Sequence, residues 1–249
     1  MKKMIKHFGL LLTLCLLTST SKAKEILMAF SLDIPPYIFQ EYDKGIEIDM
    51  INAALAVRGH VIKPVYFPLG RIPLAFRNET VDAVMGDMGV DLSLYGGFYA
   101  DPAIIYQNVF ITLHKNNMTI REPKDLDGLR VVSFQESEKR YPKWMKKVKD
   151  EKRLYGVSNQ MSQVRLLLLE RYDVVLSDKY IFKYFLKELQ DKSKQPDVLL
   201  DEHNFLDLNT DNYRPIFRDE KIRDDFNFGL EQIKKTGQYQ KIYSFYLNN

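Results

Sequence analysis

Cysteine is almost absent from this chain. The single one among 249 residues, Cys15, lies in the first 23, so disulfides and thiol chemistry are excluded from residue 24 onward. Histidine is scarce too. His7, His60, His114 and His203 stand far apart and make no metal-ligand spacing, so no metal and no cofactor are expected. The chain has no Gly-x-Ser-x-Gly elbow and no phosphate-binding glycine loop. Beyond the first 23 residues no apolar run is long enough to cross a bilayer, which takes about 20 residues. The surplus of positive charge belongs to the N-terminus. The chain carries 36 Lys and Arg against 33 Asp and Glu, but Lys2, Lys3, Lys6 and Lys22 fall in the first 23 residues, where no acid occurs. Without them 32 basic residues face 33 acidic ones, a net charge of −1. Nothing in that balance argues for a nucleic-acid partner or a membrane surface.

What is present begins with a leader. Three lysines open the chain, Phe8 to Leu17 is apolar, and Ser21-Lys22-Ala23 offers small residues at the −3 and −1 positions of a cleavage site. This three-part pattern is that of a secretory signal peptide spanning 1–23. The apolar run is too short for an uncleaved anchor. Leu14, directly before Cys15, is not the small residue that lipidation requires. The expectation is a soluble exported protein, most simply periplasmic and monomeric. With 45% hydrophobic and 28% charged residues the composition is that of an ordinary globular chain.

The stretch Val65 to Asp87 sets the organisation. Val65-Tyr66-Phe67 is β-prone, Leu69 to Asn78 contains a helical segment with Pro73 near its start, and Val81 to Met85 is again apolar. Two strands joined by a helix form a βαβ unit, normally parallel. Arg71 follows the first strand, and Gly86 and Asp87 follow the second. Upstream, Glu25 to Leu32 is a strand candidate and Gly45 to Arg58 an amphipathic helix. The order from Glu25 to Asp87 is therefore β-α-β-α-β. After a loop-rich stretch, Asn108 to His114 is a strand. A second α/β unit follows: strand Leu129 to Phe134, helices over Tyr141 to Val148 and Ser158 to Arg171, strand Tyr172 to Ser177 ending at Asp178, and helix Lys179 to Leu189. Pro196 to Phe205 reads as a return segment. Asp224 to Leu247 is helical around Phe226, Leu230 and Ile233, with a break at Gly237. No sequence repeat links the two units.

This order resembles the bacterial extracellular solute-binding proteins of family 3, the receptors of amino-acid-type ABC transporters. The resemblance spans nearly the whole chain after the leader. It rests on Pro35-Pro36-Tyr37, Gly45 to Asp49, Asp82 before a strand end, Asp125-Leu126-Asp127-Gly128, Leu167 to Asp178 and Phe226 to Tyr246. It implies an α/β, two-lobed periplasmic-binding-protein fold of type II: lobe 1 from 24–112 and 206–249, lobe 2 from 113–205, a ligand cleft between them, and closure by hinging. It also implies a small-molecule ligand and a membrane permease as partner, or a membrane sensor. One departure matters. The family's carboxylate-gripping arginine precedes a Phe-Ser-x-Pro-Tyr segment. Here that segment survives only as Tyr99-Ala100-Asp101-Pro102, and Ser93 stands at the arginine's place.

The candidate ligand-binding residues are Tyr37, Phe39, Arg71, Asp87, Glu136, Ser137 and Asp178. Arg71 is either a replacement clamp or a surface cation. Asp178, matched to the position that often receives a ligand amine, is either that receiver or a helix cap. Tyr37 and Phe39 either sandwich a planar ligand or belong to the core. Asp87 and Glu136 are loop acids, and such acids are commonly just solvated. The chain is expected not to be an enzyme. Cyclohexadienyl dehydratases resemble the same fold, and a cleft Glu136 is the carboxylate such chemistry would draw on.

Overall fold

The computed structural model of the chain describes residues 23–193, 198–205 and 213–247. The leader expected at 1–23, save Ala23, lies outside the described residues.

β1 (Glu25–Ser31) is followed by α1 (Ile46–Ala56) and β2 (Val61–Phe67). The two strands pair in parallel, from Glu25 opposite Val61 to Ser31 opposite Phe67. Leu69–Arg71 makes a 3-10 turn into α2 (Ile72–Arg77), with Pro73 in its first turn, where no N–H partner is needed. β3 (Ala83–Val84) then pairs in parallel with the other edge of β1. The expected βαβ unit therefore has parallel strands, with β1 lying between them. β4 (Phe98–Tyr99) closes this part of the chain.

The second unit contains β5 (Asn108–Leu113), β6 (Val131–Phe134), α3 (Ser137–Arg140), α4 (Pro142–Asp150) and β7 (Leu154–Val157). It continues with α5 (Gln160–Leu168), β8 (Val174–Asp178), α6 (Lys179–Ser193) and β9 (Leu200–His203). The Asn159 side chain accepts the Ser162 N–H and caps α5. The chain then returns as β10 (Ile216–Phe217), α7 (Glu220–Lys235) and α8 (Gln238–Leu247).

The two five-stranded sheets run β2-β1-β3-β10-β4 and β7-β6-β8-β5-β9. In each, three parallel strands place the first in the middle. A fourth, antiparallel strand comes from a segment that has just crossed over. The topology repeats although the sequence does not. One boundary moves. Asn108 to Thr112, expected in the first lobe, is part of β5, which pairs with β8 and β9 in the second sheet. Its alternate residues are buried on that sheet's two faces, Val109 and Ile111 with Val132 and Val175, Phe110 with Val131 and Leu176. The chain passes between the sheets twice, from β4 to β5 and from β9 to β10.

The first core lies under α1 and α7, whose axes approach closely at Gly229. A Cβ there would stand 1.8 Å from the Ala54 carbonyl oxygen, so only glycine fits.

Candidate functional site

A cavity of about 840 Å³ lies between the two sheets. Its wall includes Ser31, Pro68 and Met85, at or just past the ends of β1, β2 and β3, and Phe134, Val157 and Asp178, at the ends of β6, β7 and β8. All six parallel strands thus present their carboxyl ends to one cleft, the place where open α/β sheets bind ligands.

Aromatic side chains from separate parts of the chain line up beside it. The Tyr37 and Tyr106 ring centroids are 4.3 Å apart and those of Tyr106 and Tyr213 are 4.6 Å apart. The Arg140 guanidinium carbon lies 4.0 Å from the centroid of the Tyr213 ring. Tyr106 stands on the first crossing and Tyr213 on the second. The Tyr106 hydroxyl donates to Glu47 Oε2 at 2.7 Å. Burial of Glu47 in α1 pushes its carboxyl up to about 8, with the Tyr106 hydrogen bond pulling the other way. Asn108 Nδ2 donates to the Tyr141 hydroxyl at 2.9 Å and the Tyr213 hydroxyl at 3.1 Å. Burial also raises the Tyr37 and Tyr106 hydroxyls well above the ordinary phenol value, so both stay protonated.

Asp178 lines the cavity and is buried. Its Oδ1 accepts the N–H groups of Tyr180 at 2.9 Å and Ile181 at 3.1 Å, capping α6. Its Oδ2 accepts the Gln107 N–H at 2.5 Å and the Tyr37 hydroxyl at 3.2 Å. A carboxylate offers about four acceptor sites, and here all are used by the fold. Burial outweighs these bonds and lifts its carboxyl to about 6, still ionised at neutral pH.

The other candidates separate. Glu136 lines the cavity but is exposed and held by Lys139 at 2.6 Å. Ser137 is buried beside it, its hydroxyl without a partner among the described residues. Arg71 is exposed and outside the cavity wall, whereas Pro68, Leu69 and Gly70 before it are in that wall. Asp87 accepts the Gly89 N–H at 2.9 Å and the Tyr99 hydroxyl at 3.1 Å, and so braces its own loop. Tyr37 is fully buried behind the cavity wall. Phe39 packs on Tyr184 of α6 and Tyr246 of α8, again outside the wall. Neither sandwiches the cavity. Arg140, Tyr106, Tyr213 and Asn108 are wall residues that the sequence did not single out. The string Glu136-Ser137-Glu138-Lys139-Arg140 reads as a solvated charge run. The one available signal was its place, directly after a strand end.

Among the described residues no cluster of His, Cys, Asp and Glu is placed to hold a metal ion. No described helix is long and apolar enough to cross a membrane.

Solved structures that share the fold include three with distinct described roles. A histidine kinase sensor domain with similarity to periplasmic binding proteins is 19% identical, with a TM-score of 0.70 over 90% of this chain and 96% of that one. An ancestral arginine-binding protein bound to glutamine is 20% identical, with a TM-score of 0.67 over 90% and 98%. An ancestral amino acid-binding protein described as a precursor of cyclohexadienyl dehydratase is 18% identical, with a TM-score of 0.66 over 90% and 95%. At such identities the likeness shows the fold alone. No curated protein matches the chain. The family model of the bacterial extracellular solute-binding proteins, family 3, matches residues 26–249. The chain belongs to that family, and its fold is the two-lobed one of periplasmic binding proteins.

Proposed function

We propose that this protein is a periplasmic receptor that captures one class of small polar solute in the cleft by lobe closure and presents it to an ABC permease. The observation that carries this reading is the cavity at the carboxyl ends of all six parallel strands, with both crossings beside it as hinges. Its volume of about 840 Å³ suits a small molecule. Residues 1–23 would direct export and be removed. No covalent step is proposed. Glu136, the carboxylate that dehydratase-like chemistry would draw on, is exposed and neutralised by Lys139.

A thermal-shift screen of the purified protein across amino acids, organic acids, polyamines and sugars tests the reading. A ligand present at about 100 times its Kd stabilises the fold by about 2.7 kcal/mol, so one class should raise the unfolding midpoint and the others should not. If no class raises it, the reading is wrong. A second reading, a sensor that docks on a membrane receptor, is favoured by the likeness to a histidine kinase sensor domain. It predicts that the loaded protein binds such a receptor and not a permease.

A further inference from the structure

We infer that the cleft holds its ligand by a carboxylate forked on Arg140, on the second lobe, and that the ligand needs no ammonium group. This rests on the solute-receptor reading and names a ligand class for it. Arg140 Nε and Nη2 are both buried and have no hydrogen-bond acceptor among the described residues. The Ser137 hydroxyl, three residues earlier on α3 and so on the same face, is in the same position. Burying N–H groups of a permanent cation without an acceptor is costly, and native structures rarely leave them so. Arg140 belongs to the cavity wall, and once its guanidinium turns toward the cavity an oxyanion there is the acceptor these groups lack.

The edge itself selects the oxyanion. Nε and Nη2 form the side of a guanidinium that matches the two oxygens of one carboxylate. Arg130 of the same chain shows the pairing filled: its Nε donates to Asp173 Oδ2 at 3.0 Å and its Nη2 to Oδ1 at 2.7 Å. The guanidinium of Arg140 lies over the Tyr213 ring, whose hydroxyl Asn108 fixes. That contact holds the guanidinium beside the cavity wall.

Most of the remaining charges of the wall are matched internally. Glu136 pairs with Lys139, Glu138 with Lys149, and Asp178 is occupied by four donors. Exposed Asp33 accepts the Gln40 N–H at 2.7 Å. No buried acid is left over for a ligand ammonium among the described residues of the wall. Met85, Met88, Phe134 and Ile181 add apolar surface for the body of the ligand.

Matched triplets test this: hydrocinnamate, phenylalanine and phenethylamine, then hexanoate, norleucine and pentylamine, added to the thermal-shift panel and followed by calorimetric titration. The plain acids should bind at least as well as the amino acids, and the amines not at all. Arg140→Ala should weaken the bound acid about tenfold or more. Arg140→Lys should also weaken it, because a point charge lacks the fork, and this variant serves if the alanine form does not fold. Arg71→Ala should leave affinity unchanged. Binding of amines, phosphate or sugars in place of the acids, or acid affinity indifferent to both Arg140 variants, overturns the inference and leaves the receptor reading standing. Silence across the whole panel overturns the receptor reading itself.

Discussion

Four hydrogen bonds converge on Asp178 and tie three parts of the chain together: the start of α6, the first crossing at Gln107, and Tyr37 of the first lobe. Replacing it strands buried donors at each. Asp178→Ala should cost about 3 kcal/mol, a lost cap plus unsatisfied buried donors, read as a drop in the urea midpoint. Glu47 makes a prediction about pH. Its folded carboxyl, at about 8, lies above the ordinary 4.5 because it is buried. The folded state therefore holds this proton more tightly than the unfolded state does. The Glu47 contribution makes stability fall as pH rises from about 4.5 to about 8 and level off above that. Asp178 adds the same sign between 3.8 and about 6. Glu47→Gln should flatten the slope and be more stable than the parent at about pH 8, measured by urea unfolding at several pH values. Asp178 was legible in the sequence as a residue at a strand end before a helix, but its saturation was not, because Gln107 and Tyr37 come from 71 and 141 residues away. Arg140 was hidden for a different reason. A charge run does not reveal which of its members a four-residue helix turns inward.

Elements with a clear period were readable. β1, α1, β2, α5 and β8 all form where apolar spacing placed them. The elements that escaped carry little pattern. β10 has two residues, α3 has four, and β7 exposes Tyr155 and Gly156 at its middle. The two strands exist because tertiary pairing holds them: β10 between β3 and β4, β7 against β6. The α1–α7 contact is likewise invisible in one dimension, since Gly229 sits inside a helical pattern where alanine would ordinarily be favoured by about 1 kcal/mol. Here the added methyl meets the Ala54 carbonyl. Gly229→Ala should instead destabilise by about 2 kcal/mol or more through overpacking, again read as a lower urea midpoint. A midpoint equal to or above the parent's would show that α1 and α7 do not approach as described.

At the scale of the whole molecule, two sheets of one topology face each other across a cleft, and the chain crosses between them twice. The fold class was legible because the order of weak pieces is itself specific. The division between lobes was misplaced by one strand, since β5 pairs only after the chain has crossed. The cleft is what the receptor reading depends on, and Gly70 offers a direct way to fill it. It lies in the wall, and a Cβ built there meets nothing within 4 Å, so a bulky side chain is accommodated at the cleft wall without disturbing the core. The measurement is the ligand-induced thermal shift of the parent protein beside that of Gly70→Trp, with the solute that stabilises the parent most. The account predicts a clear shift for the parent and little or none for Gly70→Trp, the two unfolding alike without ligand. Equal shifts in both would contradict it, because the solute would then be bound somewhere other than the cleft.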